Sequence, residues 1–565
     1  MNLKSIFSVV ALSALMVGCS SDDLTNEPGA VETPAGVSET GYLNVCINLP
    51  AVNARDARSN ANDQFADGSA DEYAVKCAHL VIFNTDDETD PNAKIEGVFP
   101  FNNLKPWNTD GTSTDNVTTK AESVVKVQVP VPAEGKKLGA LVVLNDDNFS
   151  SHFGVGMSLK NFFEKEGEKE ARLCNLAHMK NSNGFLMMNA PLYVKGTAKT
   201  LVSVDKTDLC KSENEARNKT ALEVYVERGV AKVTMTTTND IAEKSKVTIE
   251  GEPYVATIKN WALDITNKKT YLIRNVKNFG TWNAFPEPYN TRFFSETSKR
   301  IYWCEDPNYD FTPETAEDKA SWVSTQFDKL ASTDVITNEL NKSVYVLENT
   351  FNVQNQYRYQ TTRAIIKASF APEGKDPADF YTIGTASKIY DKAGMQDFIK
   401  GKAISLFADK NDKTKYKFAD LTSVSETGGT HTIEVGDISY NTGDIYVDLT
   451  SEEIGKLNDV IGNINTYKGG ICYYVARIKH FGDDLTPLAE NDIIYGDEPT
   501  ASHKFLGRYG IVRNNWYELQ VSAIKTLGHP TIPDAPNTPD DEKDFYISFK
   551  VNIHSWAKRV QNVIL

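Results

Sequence analysis

Apolar and polar residues alternate, one for one, in segment after segment of this chain. Leu43, Val45, Ile47 and Leu49 alternate with Asn44 and Asn48. A half-buried β-strand requires that period of two, because successive side chains point to opposite faces of the sheet. Val125, Val127, Val129 and Val131 repeat the pattern around Lys126 and Gln128. Pro130 and Pro132 put that strand at a sheet edge, since proline cannot donate to a ladder. Residues 80–83 and 141–144 are short, continuously apolar runs suited to strands covered on both faces. Further strands are expected within 222–235, 273–276, 471–478, 517–524 and 545–553, and helical patterns are few, at 158–166, 315–330 and 394–399. Many short strands with long polar loops predict a mostly β fold of β-sandwich domains with a few short helices.

Within 222–235 the apolar residues are first even-numbered (Leu222, Val224, Val226) and then odd (Ala231, Val233, Met235). Gly229 sits at the change of phase, which reads as a bulged strand. This strand is expected to open a second domain, giving an N-terminal sandwich over 41–221, a C-terminal sandwich over 222–526 and a terminal segment over 527–565. Insertions at 285–334 and 370–420 are expected to form loops or small subdomains. The 565 residues, 40% of them hydrophobic, supply more than one core.

The chain opens with Lys4, an apolar run over 6–17, then Gly18 and Cys19 before a polar stretch. A positive start, an apolar core and a small residue at the cut make a secretory signal, expected over 1–18. Met16-Val17-Gly18-Cys19 resembles the bacterial lipobox, in which the cysteine is acylated and becomes the new N-terminus. Cys19 is therefore the expected lipid attachment, and a lipid anchors a chain to a membrane without spanning it. Residues 20–40 have the composition of a tether. No other stretch approaches the roughly 20 apolar residues that a span needs.

The net charge of −16 argues against a nucleic-acid partner, because phosphate backbones need a basic footprint. None of the eight histidines stands in HExxH, and there is no GxSxG elbow and no GxGxxG after a strand. Residues 394–402 resemble a P-loop superficially, but the glycine spacing is wrong and Ala403 stands where Ser or Thr would hold magnesium. Acidic stretches lack calcium-loop spacing. No cofactor, metal or catalytic residue is expected. Cys46, Cys77, Cys174, Cys210, Cys304 and Cys472 show no metal-like spacing and are expected mostly as free, buried thiols.

Two segments carry more information. Residues 527–544 hold Pro530, Pro533, Pro536 and Pro539, a spacing that favours an extended strut. Phe545, Ile547, Phe549, Val551 and Ile553 then alternate with polar residues, and the chain ends on Val563, Ile564 and Leu565. Such a strand either returns to its own sheet or serves another molecule as an added strand. The second segment, 51–72, places Arg55 and Arg58 among small and polar residues, the composition of an exposed loop. A cut there would release the strand before it and leave an apolar groove with unpaired edges, which a strand from another copy could fill.

Along nearly its whole length the chain resembles the major subunits of the minor fimbriae, a branch of the fimbrillins that build type V pili. The resemblance is carried by the lipobox at Cys19, the strand-then-arginine segment through Arg58, YVERGVAKV over 225–233, GIVRNNWYELQV over 510–521 and WAKRVQNVIL over 556–565. It implies two transthyretin-like sandwiches and export as an outer-membrane lipoprotein precursor, with the mature form in cell-surface fimbriae. It also implies cleavage by an arginine-specific, gingipain-like protease after Arg55 or Arg58, Arg58 being the better match, so that 19–58 is a lipidated propeptide. Polymerisation head to tail with other copies would follow, the donor strand lying within 545–565. Implied partners are anchor and tip accessory subunits and host or bacterial surface receptors, with roles in adhesion and biofilm formation. An anchor or tip accessory subunit is one alternative. A glycan-binding surface lipoprotein, with Trp282, Trp303 and Trp322 stacking on sugars, is another.

Overall fold

The computed structural model of the chain describes residues 38–50, 69–101, 117–164, 172–310, 323–384, 388–419, 428–481, 485–486, 503–536, 548–550, 553–555 and 557–564. Cys19, Arg55, Arg58, Trp322, Phe545, Ile547, Val551 and Leu565 lie outside the described residues.

Eight strands form the first sheet: β1 (Ser38–Pro50), β2 (Ala78–Phe83), β3 (Ile95–Phe101), β4 (Val117–Pro130), β5 (Leu138–Leu144), β6 (Met187–Asn189), β7 (Val202–Val204) and β8 (Leu222–Arg228). Their order is β3-β2-β5-β6-β8-β1-β4, with β7 added on β5. The two ends of that order meet, β3 against β4, so the sheet folds over on itself. Inside the fold pack Leu43, Val45 and Ile47 of β1, Leu80 and Ile82 of β2, Val125 and Val127 of β4, and Val224 and Val226 of β8. The proline-bearing strand β4 closes the strand order, the edge position expected from Pro130.

The continuously apolar runs are explained by a second core. Val81 and Phe83 of β2 and Leu141 and Val143 of β5 point away from the first interior, onto Phe153, Phe162, Leu272 and Leu347. A strand covered on both faces has no reason to alternate.

The second half contains β9 (Ala231–Thr237), β10 (Lys246–Ile249), β11 (Glu252–Asp264), β12 (Ser343–Val346), β13 (Arg363–Pro372), β14 (Ile471–Arg477) and β15 (Asn515–Ala523). Strands β12, β9 and β15 lie side by side in one sheet, and β10-β11-β13-β14 make another. Val233 and Met235, Trp261, Ile366 and Phe370, Tyr474, and Leu519 and Val521 fill one core between them, a β-sandwich.

Residues 222–235 are two strands in two sheets, not one bulged strand: β8 pairs with β1 and β6, and β9 pairs with β12 and β15. The sheet boundary thus falls at Gly229 and not before Leu222. A Cβ on Gly229 would lie 2.4 Å from Met179 Sδ, so a larger residue at the crossing would have to displace the Met179 side chain. Residues 273–276 form no strand, and the described part of the helix expected over 158–166, residues 158–164, holds a single 3₁₀ turn, Leu159–Phe162. Of the helix expected over 315–330, residues 315–322 lie outside the described residues, 323–326 are helical and Phe327–Asp328 form a short strand.

Three helices matter below: α1 (Ala70–Tyr73), α2 (Lys392–Leu406) and α3 (Ser451–Ile461). Met395, Ile399 and Ala403 of α2 pack with Ile454, Leu457 and Ile461 of α3 in a separate small core. The P-loop look-alike is thus the start of α2, where Asp391 accepts from Gly394 N at 2.7 Å. At the C-terminus, β16 (Ser548–Lys550), β17 (Ile553–Ser555) and β18 (Ala557–Ile564) extend the sheet beyond β15.

Candidate strand-exchange site

Strand β1 is an interior strand. It runs parallel to β8, pairing Val45 with Leu222 and Ile47 with Val224, and antiparallel to β4, pairing Val45 with Ser123 and Ile47 with Ala121. Leu43, Val45 and Ile47 are each 0% exposed. Burying three such side chains is worth about 6 kcal/mol at ~2 kcal/mol each, comparable with the ~5–15 kcal/mol that holds a whole domain together. A sheet without β1 would carry two unpaired edges and an apolar slot, which makes refilling strongly favourable. Tyr42 and Cys210 exchange two backbone hydrogen bonds of 2.9 and 3.0 Å that fasten the upstream end.

Downstream of Arg55 and Arg58 the described chain resumes at Ser69 and is held there. Glu72 in α1 is 2% exposed and forms an ion pair of 2.8 Å with Lys232 on β9. It also accepts from Ser69 N at 2.8 Å and from the Tyr345 hydroxyl on β12. Its own carbonyl accepts from Arg228 Nε at 2.6 Å. Burial works to raise the Glu72 carboxyl pKa. Hydrogen bonds from Lys232 and Tyr345, with the Lys232 charge, outweigh burial and hold it below the ordinary value. Glu72 was missed in the sequence, although Ser69 followed by Glu72 is a legible capping-box spacing.

The segments 225–233 and 510–521 meet in space. Lys232 pairs with Trp516 across parallel strands and lies 4.1 Å over its ring. Arg228 donates to Asn514 Oδ1 at 3.2 Å. Glu227 pairs with Arg274 at 3.0 Å and Arg513 with Glu348 at 2.7 Å, all four side chains no more than 4% exposed. Arg513 also donates to Thr270 Oγ1 and the Tyr271 carbonyl, at 3.1 and 2.8 Å. Burial works to raise the Glu348 pKa, but Arg513 and Arg274 overcome it; for Glu227 burial prevails over Arg274. These two segments weld the two halves together where strand β8 leaves one sheet and β9 enters the other.

The C-terminal strands stand beside β15 in their own second sheet. Strand β18 runs parallel to β15, with Tyr517 opposite Arg559 and Val521 opposite Val563. Phe549 of β16 pairs with Val563, and Ile553 of β17 with Arg559. Of the strand expected over 545–553, residues 548–550 and Ile553 are described, and they pair with β18 in one register. Of the two destinations open to this segment, the isolated chain takes its own sheet.

Trp282 and Trp303 are corrected by the structure: they are 1% and 0% exposed, packed among Phe279, Phe293 and Phe481, and present no ring to a sugar. Among the described residues none of the six cysteines forms a disulfide; five are buried and Cys77 is half-buried. One contact has the composition of a catalytic triad: His152 reaches Asp146 at 2.7 Å and Cys174 at 3.8 Å. Burial lowers the imidazole pKa, yet the Asp146 and Cys174 hydrogen bonds push it up to about 9. With Cys174 at 1% exposure, the group is packing, not an accessible nucleophile.

Residues 465–562, which contain β14, β15 and the C-terminal strands, match the C-terminal family model of the type IV major fimbrial subunit proteins, the fimbrillins. That match is confined to the C-terminal part of the chain. Among solved structures, the tip fimbrial protein Mfa3 of Porphyromonas gingivalis, truncated at its C-terminus, is 12% identical, with 88% of this chain and 100% of that one covered and a TM-score of 0.29. A fimbrial assembly protein of Parabacteroides distasonis is 11% identical, with 62% of this chain and 85% of that one covered and a TM-score of 0.28. Scores this low do not establish a shared arrangement of strands. No curated protein matches the sequence.

Proposed function

We propose that this chain is a fimbrillin, a structural subunit of a minor-type surface fimbria, made as a precursor lipidated at Cys19. An arginine-specific protease cuts after Arg58 or Arg55, the β1 segment leaves, and the C-terminal strand of another copy takes its place. Adhesion and biofilm formation follow from the polymer, with anchor and tip subunits at its ends and no catalytic residue involved. The supporting observation is the position of β1: an interior strand with three fully buried side chains, directly preceding the arginine loop. The alternation of Phe545, Ile547, Phe549, Val551 and Ile553 has the same period as Leu43, Val45 and Ile47, so either segment can present one apolar face to the slot. Glu72 supports the order of events, because the chain after the cut stays clamped while the segment before it, once cut, is held only by non-covalent contacts of β1.

Deleting residues 545–565 should leave only monomers after protease treatment. SDS-resistant ladders from the truncated chain would sink the reading. The N-terminus of the surface form separates the roles: Ser59 or Asp56 marks the stalk subunit, and an acylated Cys19 marks an anchor.

A further inference from the structure

Strand β1 is covered on both faces. Leu43, Val45 and Ile47 fill the slot, and of the side chains that point the other way Cys46 is 1% and Asn48 2% exposed. Its neighbours are open on that outer face. Glu122 and Lys126 of β4, paired with Cys46 and Tyr42, are exposed, and so is Glu223 of β8, paired with Cys46.

Residues 205–221, the connection from β7 to β8, supply the cover. Tyr42 pairs with Lys126 of β4 on one side, so its second pair of backbone hydrogen bonds, to Cys210, lies on the β8 side. A helical turn, Glu213–Arg217, then lies against both β1 and β4, with Ala216 0% exposed. The connection therefore starts beside β1, crosses it and returns to β8 as a strap. Asn44 Nδ2 donates to the Lys219 carbonyl at 3.1 Å on the return. At the start a Cβ on Gly41 would lie 3.4 Å from Leu209 Cδ2, so strap and strand touch there as well.

This strap stands in the way of release. The core closes the inner face of β1, and sliding by one residue along the sheet would turn Asn44 and Asn48 inward. The way out is through the outer face, under the strap. Both ends of the strap run into strands of the body, β7 on β5 and β8 on β6, so the strap stays when β1 goes. It is also easily lifted. Its turn is far shorter than a helix that stands alone, and its own bonds are local: Ser212 Oγ accepts from Glu215 N at 3.2 Å, and Glu215 Oε2 from Lys211 N at 2.8 Å. Segments held in this way open well before the rest of a domain.

We propose that residues 205–219 are a latch on the exchange slot, which must lift before β1 can leave. The inference rests on the strand-exchange reading above and adds the element that sets its rate. Ser212 is exposed, so Ser212→Ala removes the helix cap and leaves the core intact. In the full chain, amide exchange over 213–219 should rise roughly fivefold, the usual worth of a cap, while exchange in β5 stays unchanged. In the chain nicked after Arg58, the β1 peptide should leave faster by the same factor, followed by mass spectrometry. Ser212→Asp, which can still cap, should restore both rates. Ala216→Gly weakens the same turn from its buried side and should also quicken both. Peptide release at the wild-type rate in both loosened chains overturns the proposal, and so does faster release with exchange over 213–219 unmoved. The two readings fail separately. Latch-dependent release without uptake of residues 545–565 from another copy supports the latch and sinks strand donation. Ladders that form while release ignores both loosening variants sink the latch alone.

Discussion

The β1 slot and the junction between the two halves are both fully buried, yet they are built from opposite chemistry. The slot is lined by valine, leucine and isoleucine, with Val125 and Val127 on one side and Val224 and Val226 on the other. The junction is built of ion pairs and directed hydrogen bonds, Glu227 to Arg274 and Glu348 to Arg513. Apolar burial is non-directional, so any strand with the right alternation and volume satisfies the slot. A buried ion pair tolerates no such substitution, because each charge stays costly unless that one partner sits within hydrogen-bonding distance. The fold thus concentrates what must stay unique at the junction and what can be exchanged in the slot.

The largest effect should come from breaking the junction. Arg513→Met keeps much of the volume but leaves Glu348 buried without its nearest partner. Urea unfolding should show a loss of about 3–5 kcal/mol, reduced where Glu348 takes up a proton instead. A loss under about 1 kcal/mol would mean that Arg274, 4.0 Å from Glu348, already carries the pair, and the contrast with the slot would weaken.

Much of the slot was legible in the sequence, and little of the junction was. The alternation of Leu43, Val45 and Ile47 is local, so β1 could be read directly, and the prolines of β4 announced its edge. The partners of the junction lie far apart: Glu227 meets Arg274, and Arg513 meets Glu348, only because β8 and β9 belong to different sheets. Gly229 marked the crossing, but a change of phase looks the same whether a strand bulges or ends. Trp282 and Trp303 could not be placed from the sequence, because a loop's composition does not reveal that the loop has a core of its own. Helix α3 was missed despite its signal: Thr450 accepts from Glu453 N at 3.3 Å and Glu453 Oε2 from Thr450 N at 2.9 Å, a capping box readable in the sequence.

A mutation inside the slot should be milder and should act on release. Ile47→Ala removes fully buried volume from β1 at a cost of about 2–4 kcal/mol. In a chain nicked after Arg58, that cost should appear as a faster loss of the β1 peptide, by roughly 30- to 700-fold if it falls wholly on dissociation. Mass spectrometry of the nicked protein over time measures it. An unchanged release rate would mean that the barrier is set by the backbone ladder to β4 and β8, with the side chains contributing only at equilibrium.

The smallest expected effect lies at Glu72, which belongs to neither class cleanly: it is a junction contact at the doorstep of the slot. Its folded pKa is lowered from the ordinary 4.5. Below that ordinary value the unfolded chain binds the proton first, so stability is full above it and falls as pH drops through the folded value. Glu72→Gln keeps the shape and loses the charge, at a cost of about 2 kcal/mol near neutrality. The difference between the two proteins should shrink as pH falls below 4.5 and vanish once Glu72 itself is protonated. Unfolding midpoints measured from neutral pH into the acid range decide this, since a pH-independent gap would assign the loss to packing and not to the Lys232 ion pair. The same variant distinguishes clamp from slot in the nicked chain. If Glu72 only holds what remains, β1 leaves at the wild-type rate; if release quickens, the clamp also braces β1, and the two regions are coupled.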